Sequence, residues 1–317
     1  MARKAKYYAG MKSREYWHQR MLDRDKKSKI SEDKIIKKIR KAYHNAYIEI
    51  SKELNDFYNK YAIENNLTYT EATKLLNLIE LGEYRDKVQE LRELYNKTNS
   101  REILAEWQRI GARENVTRLQ SLLDAIDIQL IKHTNNMQMT MTDHLTGAYK
   151  RTYKEALKDV GRSNAVLPKK AIEEAIRYPW SGRQFSGRIW TNKTATLNKI
   201  QETITKGLIQ GQSVQKMGSE IRKFEKVTKY EAERLVRTET NFFTTKGHID
   251  GYKENGIKAV EVCVAYDERT CADCESMDRE VIPINEVSYG SNVPPFHRHC
   301  FCRCTVIPVA DYKEGEY

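Results

Sequence analysis

All six cysteines of this 317-residue sequence fall within residues 263–304, and two histidines accompany them. Cys271 and Cys274 form a C-x-x-C pair, whose two thiolates lie one turn apart and can hold one tetrahedral ion. A second segment rich in Cys and His follows. It contains His297, His299, Cys300, Cys302 and Cys304. Such a pair followed by such a segment predicts a structural zinc site.

Other interpretations of the cysteines stay open. Disulfides could stabilise the same segment, although a chain without an export signal is expected in a reducing compartment. A catalytic metal ion with an open coordination position, or simply buried thiols, are the remaining alternatives. Cys263 falls in an alternating apolar segment, so we expect it to pack rather than to bind metal. The candidates outnumber the four ligand positions of zinc, so their spacing does not define the ligand set.

Four charged residues could converge near the cysteines: Arg237, Glu239, Asp267 and Arg269. The preferred interpretation is architectural, an ion-pair cluster that ties a helix to the loop before the C-x-x-C pair. The alternative is the active site of a metal-dependent nuclease or other hydrolase. The sequence has no H-E-x-x-H, P-loop, G-x-S-x-G or paired-carboxylate motif, which favours the architectural interpretation.

Positive charge is concentrated at the N-terminus. The net charge is +11, and residues 1–30 contribute ten Lys or Arg against three acids, a local excess of 10 − 3 = +7. This excess predicts an arm that contacts DNA phosphates without sequence specificity, and a solvated tail is the alternative. The DNA-contacting candidates are Arg3, Lys4, Lys6, Lys12, Arg14, Lys26, Lys27 and Lys29. No recognition helix adjoins the cysteines, so a cellular zinc-finger DNA-binding protein is the weaker hypothesis.

Apolar spacing predicts a mainly α-helical N-terminal region. The predicted helices are 33–64, 70–81, 84–96, 100–141, 142–160, 169–177, 194–207, 214–224 and 229–247. Alternation near Val260, Val281 and Thr305 predicts three short strands, and hence a small α+β C-terminal domain that zinc would stabilise. No apolar stretch is long enough to span a membrane, and no signal peptide is expected.

Three segments of the chain resemble the Mu F-like phage head morphogenesis family, also called minor head or minor capsid proteins. They are Arg237-Thr238-Glu239, Asp267 to Cys274, and Pro294 to Cys304. The stretches around Trp180-Ser181-Gly182, Arg188 and Gly211-Gln212-Ser213 are similar to the upstream part of that family. Family members commonly carry one His three residues before a Cys. Here His297 precedes Cys300 and His299 precedes Cys302, and both registers stay open.

The resemblance implies a virion protein present in few copies, associated with the portal and with other capsid or scaffold proteins. It implies a role in head morphogenesis and in genome packaging or delivery. The expected location is the head interior near the portal, and the bacterial host cytoplasm during assembly. The expected domains are a basic arm (1–32), a helical domain (33–177), a head morphogenesis domain (178–310) and a tail (311–317).

Overall fold

The computed structural model describes residues 14–62, 67–161, 167–266, 270–296, 303–309 and 312. Most of these residues are helical, which confirms the predicted fold class in its mainly α part. The helices are α1 (Arg14–Tyr61), α2 (Tyr69–Ala72), α3 (Leu78–Thr98), α4 (Arg101–Gly111), α5 (Arg118–Asp159), α6 (Lys169–Arg177), α7 (Phe185–Ile209), α8 (Val214–Glu254) and α9 (Ala272–Ser276). The strands are β1 (Ala259–Cys263), β2 (Val281–Pro283) and β3 (Thr305–Val309), and a 3₁₀ turn covers Ile284–Glu286.

The three predicted strands form one antiparallel sheet in the order β2-β1-β3. Ala259 pairs with Pro283 on one side and with Val309 on the other, and Cys263 pairs with Thr305. Four of the five β1 residues are buried, because the central strand is covered on both faces. The small C-terminal sheet is therefore confirmed, and its zinc remains a prediction.

Helix α1 begins at Arg14, well before the predicted start of the helical domain. The described part of the predicted basic arm is thus a packed helix, not a loose tail. Trp17 and Met21 lie four residues apart on one face and are buried in a core with Ala156, Tyr252 and other residues. The sequence-based expectation underestimated these two apolar positions because basic residues surround them.

Two helix boundaries differ from prediction for identifiable reasons. Asn77 Oδ1 caps α3 by accepting hydrogen bonds from Ile79 N and Glu80 N, and the Asn77 backbone N–H donates to the Glu80 carboxylate. This capping box starts a helix where the predicted 70–81 helix would continue. Thr228 was expected to cap a new helix. Its hydroxyl instead donates 2.7 Å to Phe224 O, so α8 continues through it.

Close helix packing depends on two glycines of α8. A Cβ atom at Gly247 would lie 2.8 Å from Tyr149 O, and one at Gly251 would lie 2.7 Å from Ala156 Cβ. Both contacts are shorter than side chains tolerate, so only glycine permits this approach of α8 to α5.

The chain divides into two compact units, each built from segments distant in sequence. The first contains residues 1–38, 139–188 and 231–317, and the second contains 39–138 and 189–230. The sheet and the predicted site residues lie in the first unit. The second unit has its own core around Tyr84, Leu91 and Ile103. Each predicted domain is one continuous range of the sequence, whereas each compact unit combines several separate ranges. The predicted domain boundaries stay a prediction.

Among the described residues, no helix combines the length and the apolar character needed to cross a membrane.

Candidate functional site

Glu239 is the most buried charged residue of the Arg-Thr-Glu segment, with 1% of its surface exposed. Trp180 Nε1 donates a 3.1 Å hydrogen bond to Glu239 Oε2, and the Arg188 guanidinium forms an ion pair with the same carboxylate. The Arg188 guanidinium also lies 5.1 Å from the centre of the Trp180 ring, within cation–π range. We call Trp180, Arg188 and Glu239 the Glu239 cluster.

Burial and the neighbouring groups of the Glu239 cluster shift the pKa of the Glu239 carboxyl toward neutral pH. Burial raises the pKa of Glu239 to about 7, while Arg188 and the Trp180 hydrogen bond oppose that rise. A raised carboxyl pKa marks both catalytic sites and buried structural pairs. Here both carboxylate oxygens are engaged by protein donors, which favours a structural role.

An aromatic group surrounds the Glu239 cluster. The rings of Trp180 and Tyr178 each stack on Phe242, with centroids 5.5 and 5.8 Å away. Lys246 Nζ lies 5.4 Å from the Tyr178 centroid and 5.6 Å from that of Tyr289. The Glu239 cluster is therefore held in a rigid setting of stacked rings.

Arg237 faces another part of the molecule, because residues two apart on a helix project about 200° apart. Its guanidinium pairs with Asp33 at 3.0 Å, Glu233 at 3.2 Å and Glu32 at 3.4 Å. Arg237 and Glu239 thus have separate partners. Their predicted partners Asp267 and Arg269 lie outside the described residues, so the four-residue cluster stays a prediction.

Three of the predicted zinc ligands lie in one place. Cys274 and Cys304 are buried in a small cluster with Val262 and Val264, and half-buried Cys271 packs against it. The structure therefore brings the C-x-x-C pair to the residue that precedes β3. None of the four described cysteines is disulfide-bonded.

The metal site itself is not tested by these contacts. His297, His299, Cys300 and Cys302 lie outside the described residues. Within the described part of the chain, no group of three or more His, Cys, Asp or Glu side chains is arranged to hold a metal ion. Cysteine thiolates are common zinc ligands, so the described cysteines suit a structural zinc site. The ligand set stays a prediction.

Cys263 belongs to a different cluster from the other cysteines. It packs with Trp17, Met21 and Val306, and burial raises the pKa of its thiol to about 12. A thiol with this pKa stays protonated at neutral pH and is a poor metal ligand. Its position agrees with the expected packing role.

The predicted DNA-contacting residues differ in their surroundings. Arg14 Nε lies 2.5 Å from Glu261 Oε1, and its Nη2 donates to Asp278 at 3.0 Å, so it anchors α1 to the sheet region. Lys26 and Lys27 are exposed and Lys29 is half-exposed. The remaining candidates, Arg3, Lys4, Lys6 and Lys12, lie outside the described residues.

Sequence reasoning missed the partners of two further arginines. Arg20 and Arg24 pair with Asp159 at 2.8 and 2.7 Å, and the Asp159 side chain is fully buried. Tyr252 also donates to Asp159 at 3.2 Å. No local signal links these residues, because Asp159 lies more than one hundred residues along the chain from both arginines. Positive charge near the N-terminus is thus partly structural.

Comparison with protein families gives one match. Residues 198–307 match the family described as Phage Mu protein F like protein, which confirms the resemblance seen in the sequence. The matched region, about a third of the chain, contains the end of α7, all of α8, β1, β2, the first residues of β3 and the cysteine cluster, and in this region the chain is similar to that family. Comparison with curated proteins and with solved structures gives no match.

Proposed function

Since residues 198–307 match the Mu F-like family, we propose that this chain is a minor head protein that associates with the portal. In this role it takes part in head morphogenesis and in genome packaging or delivery. The family match is the observation that carries the proposal. The Glu239 cluster supports it, because Trp180 and Arg188 belong to the upstream segments that resemble the same family.

Portal contact needs an exposed apolar surface, and the second compact unit has one. Leu75, Leu78 and Ile79 are 60%, 89% and 77% exposed, and Tyr69 nearby is 41% exposed. The apolar residues of α1 at Ile36, Ile50 and Leu54, by contrast, are buried within this chain. These four exposed apolar side chains fall within eleven residues of sequence, and groups of exposed apolar side chains mark interaction surfaces. We call Tyr69, Leu75, Leu78 and Ile79 the apolar patch and assign the portal to it.

Non-specific DNA contact is the second part of the proposal. Lys26 has an exposed side chain (74%), and it pairs with Asp23 at 3.7 Å, an exposed ion pair of little energetic weight. Lysines of this kind contact phosphates as mobile point charges and read no sequence. A protein packed beside the genome would use such contacts.

Zinc is the third part. Cys271, Cys274 and Cys304 would supply ligands, and the remaining ligand would come from the segment that contains His297 to Cys302. When bound, zinc would cross-link α9 to the start of β3 and contribute folding free energy to a small unit. The role of the metal in this proposal is structural.

The proposed function is tested in the phage whose genome encodes this chain. Its coding sequence is replaced by one with an early stop codon, and particles from the infected host are analysed by electron microscopy and mass spectrometry. We expect wild-type heads to contain the chain in few copies. Without it, we expect heads that are misassembled or lack DNA, with a fall in infectious titre.

Complementation with the wild-type gene in trans is the control for effects on neighbouring genes. A normal titre without the chain, or purified heads in which the chain is absent, would contradict the proposal. Measurement of DNA hydrolysis by the purified protein addresses the alternative, a nuclease carried in the virion.

A further inference from the structure

A cavity of about 60 Å³ lies in the first compact unit, between α1, α5, α8 and the edge of the sheet. Its lining is rich in charged side chains. They include Arg24, Arg151, Arg237, Arg303, Glu155 and His248. Asp25 and Glu32 also line it, so four guanidinium groups face three carboxylates, and Arg303 lies 3.5 Å from Asp25.

His248 is the first sign that the cavity binds a ligand. Its side chain is 4% exposed, and neither ring nitrogen makes a hydrogen bond to a described residue. Its Nε2 lies 3.8 Å from Glu155 Oε2, which is within ion-pair distance but beyond hydrogen-bond length, so this contact leaves the hydrogen-bonding capacity of the ring unused. A buried polar group without a partner is costly, so native proteins rarely keep one without a reason.

Asn241 repeats this pattern on the same face of α8, two turns before His248. Its Nδ2 donates a 3.0 Å hydrogen bond to Cys304 O, which fixes the amide. Its Oδ1 is buried and accepts no hydrogen bond from a described residue. Two unsatisfied side chains therefore line one wall of the cavity.

Arg151 supplies the matching positive charge. Among the described residues its guanidinium makes one long hydrogen bond, 3.3 Å from Nη2 to Ser28 Oγ. Arg24 and Arg237, in contrast, pair with Asp159 and Asp33 at 2.7 and 3.0 Å. Of the arginines in the described lining, Arg151 alone lacks a carboxylate partner within ion-pair distance.

We propose that this cavity binds a small tetrahedral oxyanion of the phosphate class. The planar guanidinium of Arg151 presents a fork of N–H donors that matches two phosphate oxygens. His248 donates from one ring nitrogen, and Asn241 Oδ1 accepts from a P–OH group. The charge of Glu155 is offset by Arg24 Nε at 3.3 Å.

Other ligand classes fit less well. A divalent cation would be repelled by the guanidinium groups, and no three described His, Cys, Asp or Glu side chains are arranged as a metal site. A duplex backbone is too bulky for a cavity of about 60 Å³. The remaining sources of phosphate are free inorganic phosphate and the terminal phosphate of a nucleic-acid strand. This inference goes beyond the proposed head function and does not rest on it.

Isothermal titration calorimetry of the full chain with inorganic phosphate tests the proposal. We expect saturable binding of one phosphate per chain in wild type. Arg151→Gln should weaken it roughly tenfold or more, because a charge-assisted hydrogen bond is lost. Arg151→Lys, which keeps the charge but not the fork, should give an intermediate loss. Lys150→Gln is the matched control, since it removes one exposed positive charge from the adjacent position of α5.

Circular dichroism establishes that each variant is folded before titration. A short oligonucleotide with a 5′-phosphate is compared with its 5′-hydroxyl form to separate the two sources. Preferential binding of the phosphorylated strand assigns a strand end, and binding of inorganic phosphate alone assigns the free ion. No saturable binding up to roughly ten millimolar phosphate, or equal affinity of wild type and Arg151→Gln, would overturn the proposal.

Discussion

Trp180 Nε1 donates a 3.1 Å hydrogen bond to Glu239 Oε2, across fifty-nine residues of sequence. This contact joins the segment before α7 to the middle of α8, and Arg188 completes the cluster from the first turn of α7. The cluster therefore ties the Arg-Thr-Glu segment to the upstream segments that resemble the Mu F-like family. Its loss should weaken the first compact unit rather than remove a chemical step.

Glu239→Ala should destabilise the protein by about 3–5 kcal/mol, because Arg188 would keep a largely buried charge without its carboxylate. The free energy of unfolding from urea denaturation measures this change. Glu174→Ala, which removes a carboxylate with 66% exposure, is the control and should cost about 0–1 kcal/mol. Equal stability of the two variants would show that the cluster contributes little.

Glu239→Gln removes the titratable carboxyl group but keeps a side chain of nearly the same shape. The folded pKa of Glu239, about 7, lies above the usual carboxyl value, so the folded state holds a proton that the unfolded chain releases. This contribution to stability is complete below the unfolded pKa and is lost as pH rises toward 7. The glutamine variant is neutral throughout and should lack that fall in stability.

Zinc content is predicted to depend on Cys271 and Cys274. Mass-spectrometric metal analysis should find about one zinc per chain in wild type, and less after Cys271→Ser or Cys274→Ser. Both variants should also become protease-sensitive near the sheet, because metal binding contributes folding free energy. Cys263→Ala is the matched control, since that thiol packs in a separate core. Unchanged zinc in both serine variants would refute the assignment.

The apolar patch is predicted to carry portal binding. Leu78→Glu with Ile79→Glu should leave the fold intact, because both side chains are largely exposed. Co-purification with the co-expressed portal protein of the same phage should be lost, because charge at an apolar interface is costly to desolvate.

Ile209→Glu with Val227→Glu introduces the same charge at two exposed apolar residues outside the apolar patch, 62% and 60% exposed, and serves as the control. If the variant with Leu78→Glu and Ile79→Glu still co-purifies with the portal protein, the apolar patch is not the portal-binding surface. Loss of the portal in both pairs would point to a general effect of negative charge.

The sequence predicted the sheet better than it predicted the contacts between distant segments. The strands were recognisable because Val260 and Val262 alternate with polar or smaller residues, and this local pattern survives in β1. The start of α1 was missed, because Trp17 and Met21 are buried by residues that lie far along the chain. The Arg188–Glu239 pair was likewise beyond local patterns, since only the fold brings α7 and α8 together there.

DNA affinity should depend on the lysines of α1. Changing Lys26, Lys27 and Lys29 to Ala should weaken binding to two unrelated duplexes equally. It should also make the slope of the logarithm of the binding constant against the logarithm of salt concentration shallower, by about one unit per lost phosphate contact. Fluorescence anisotropy across a salt series measures both quantities. Truncation of the first thirty residues is a poorer test, because it would also remove the buried Trp17 and Met21.

A matched triple variant distinguishes local contact from net charge. Lys199, Lys206 and Lys223 have side chains that are 54%, 65% and 66% exposed, and their change to Ala removes the same total charge. This variant should keep a salt slope closer to that of wild type. If both triples reduce the slope equally, α1 has no special role in DNA contact.

Acid should destabilise the second compact unit through His133. Burial lowers the pKa of its imidazole to about 4, and the ring packs against Tyr43 with centroids 4.1 Å apart. Between pH 6.5 and about 4 the unfolded chain therefore binds a proton that the folded state excludes, so stability falls as pH falls, by about 3 kcal/mol in total. His133→Phe keeps a ring against Tyr43 and should remove that share of the pH dependence. Urea denaturation at several pH values measures it, with exposed His44→Gln as the control, and an unchanged slope in His133→Phe would show that another group titrates.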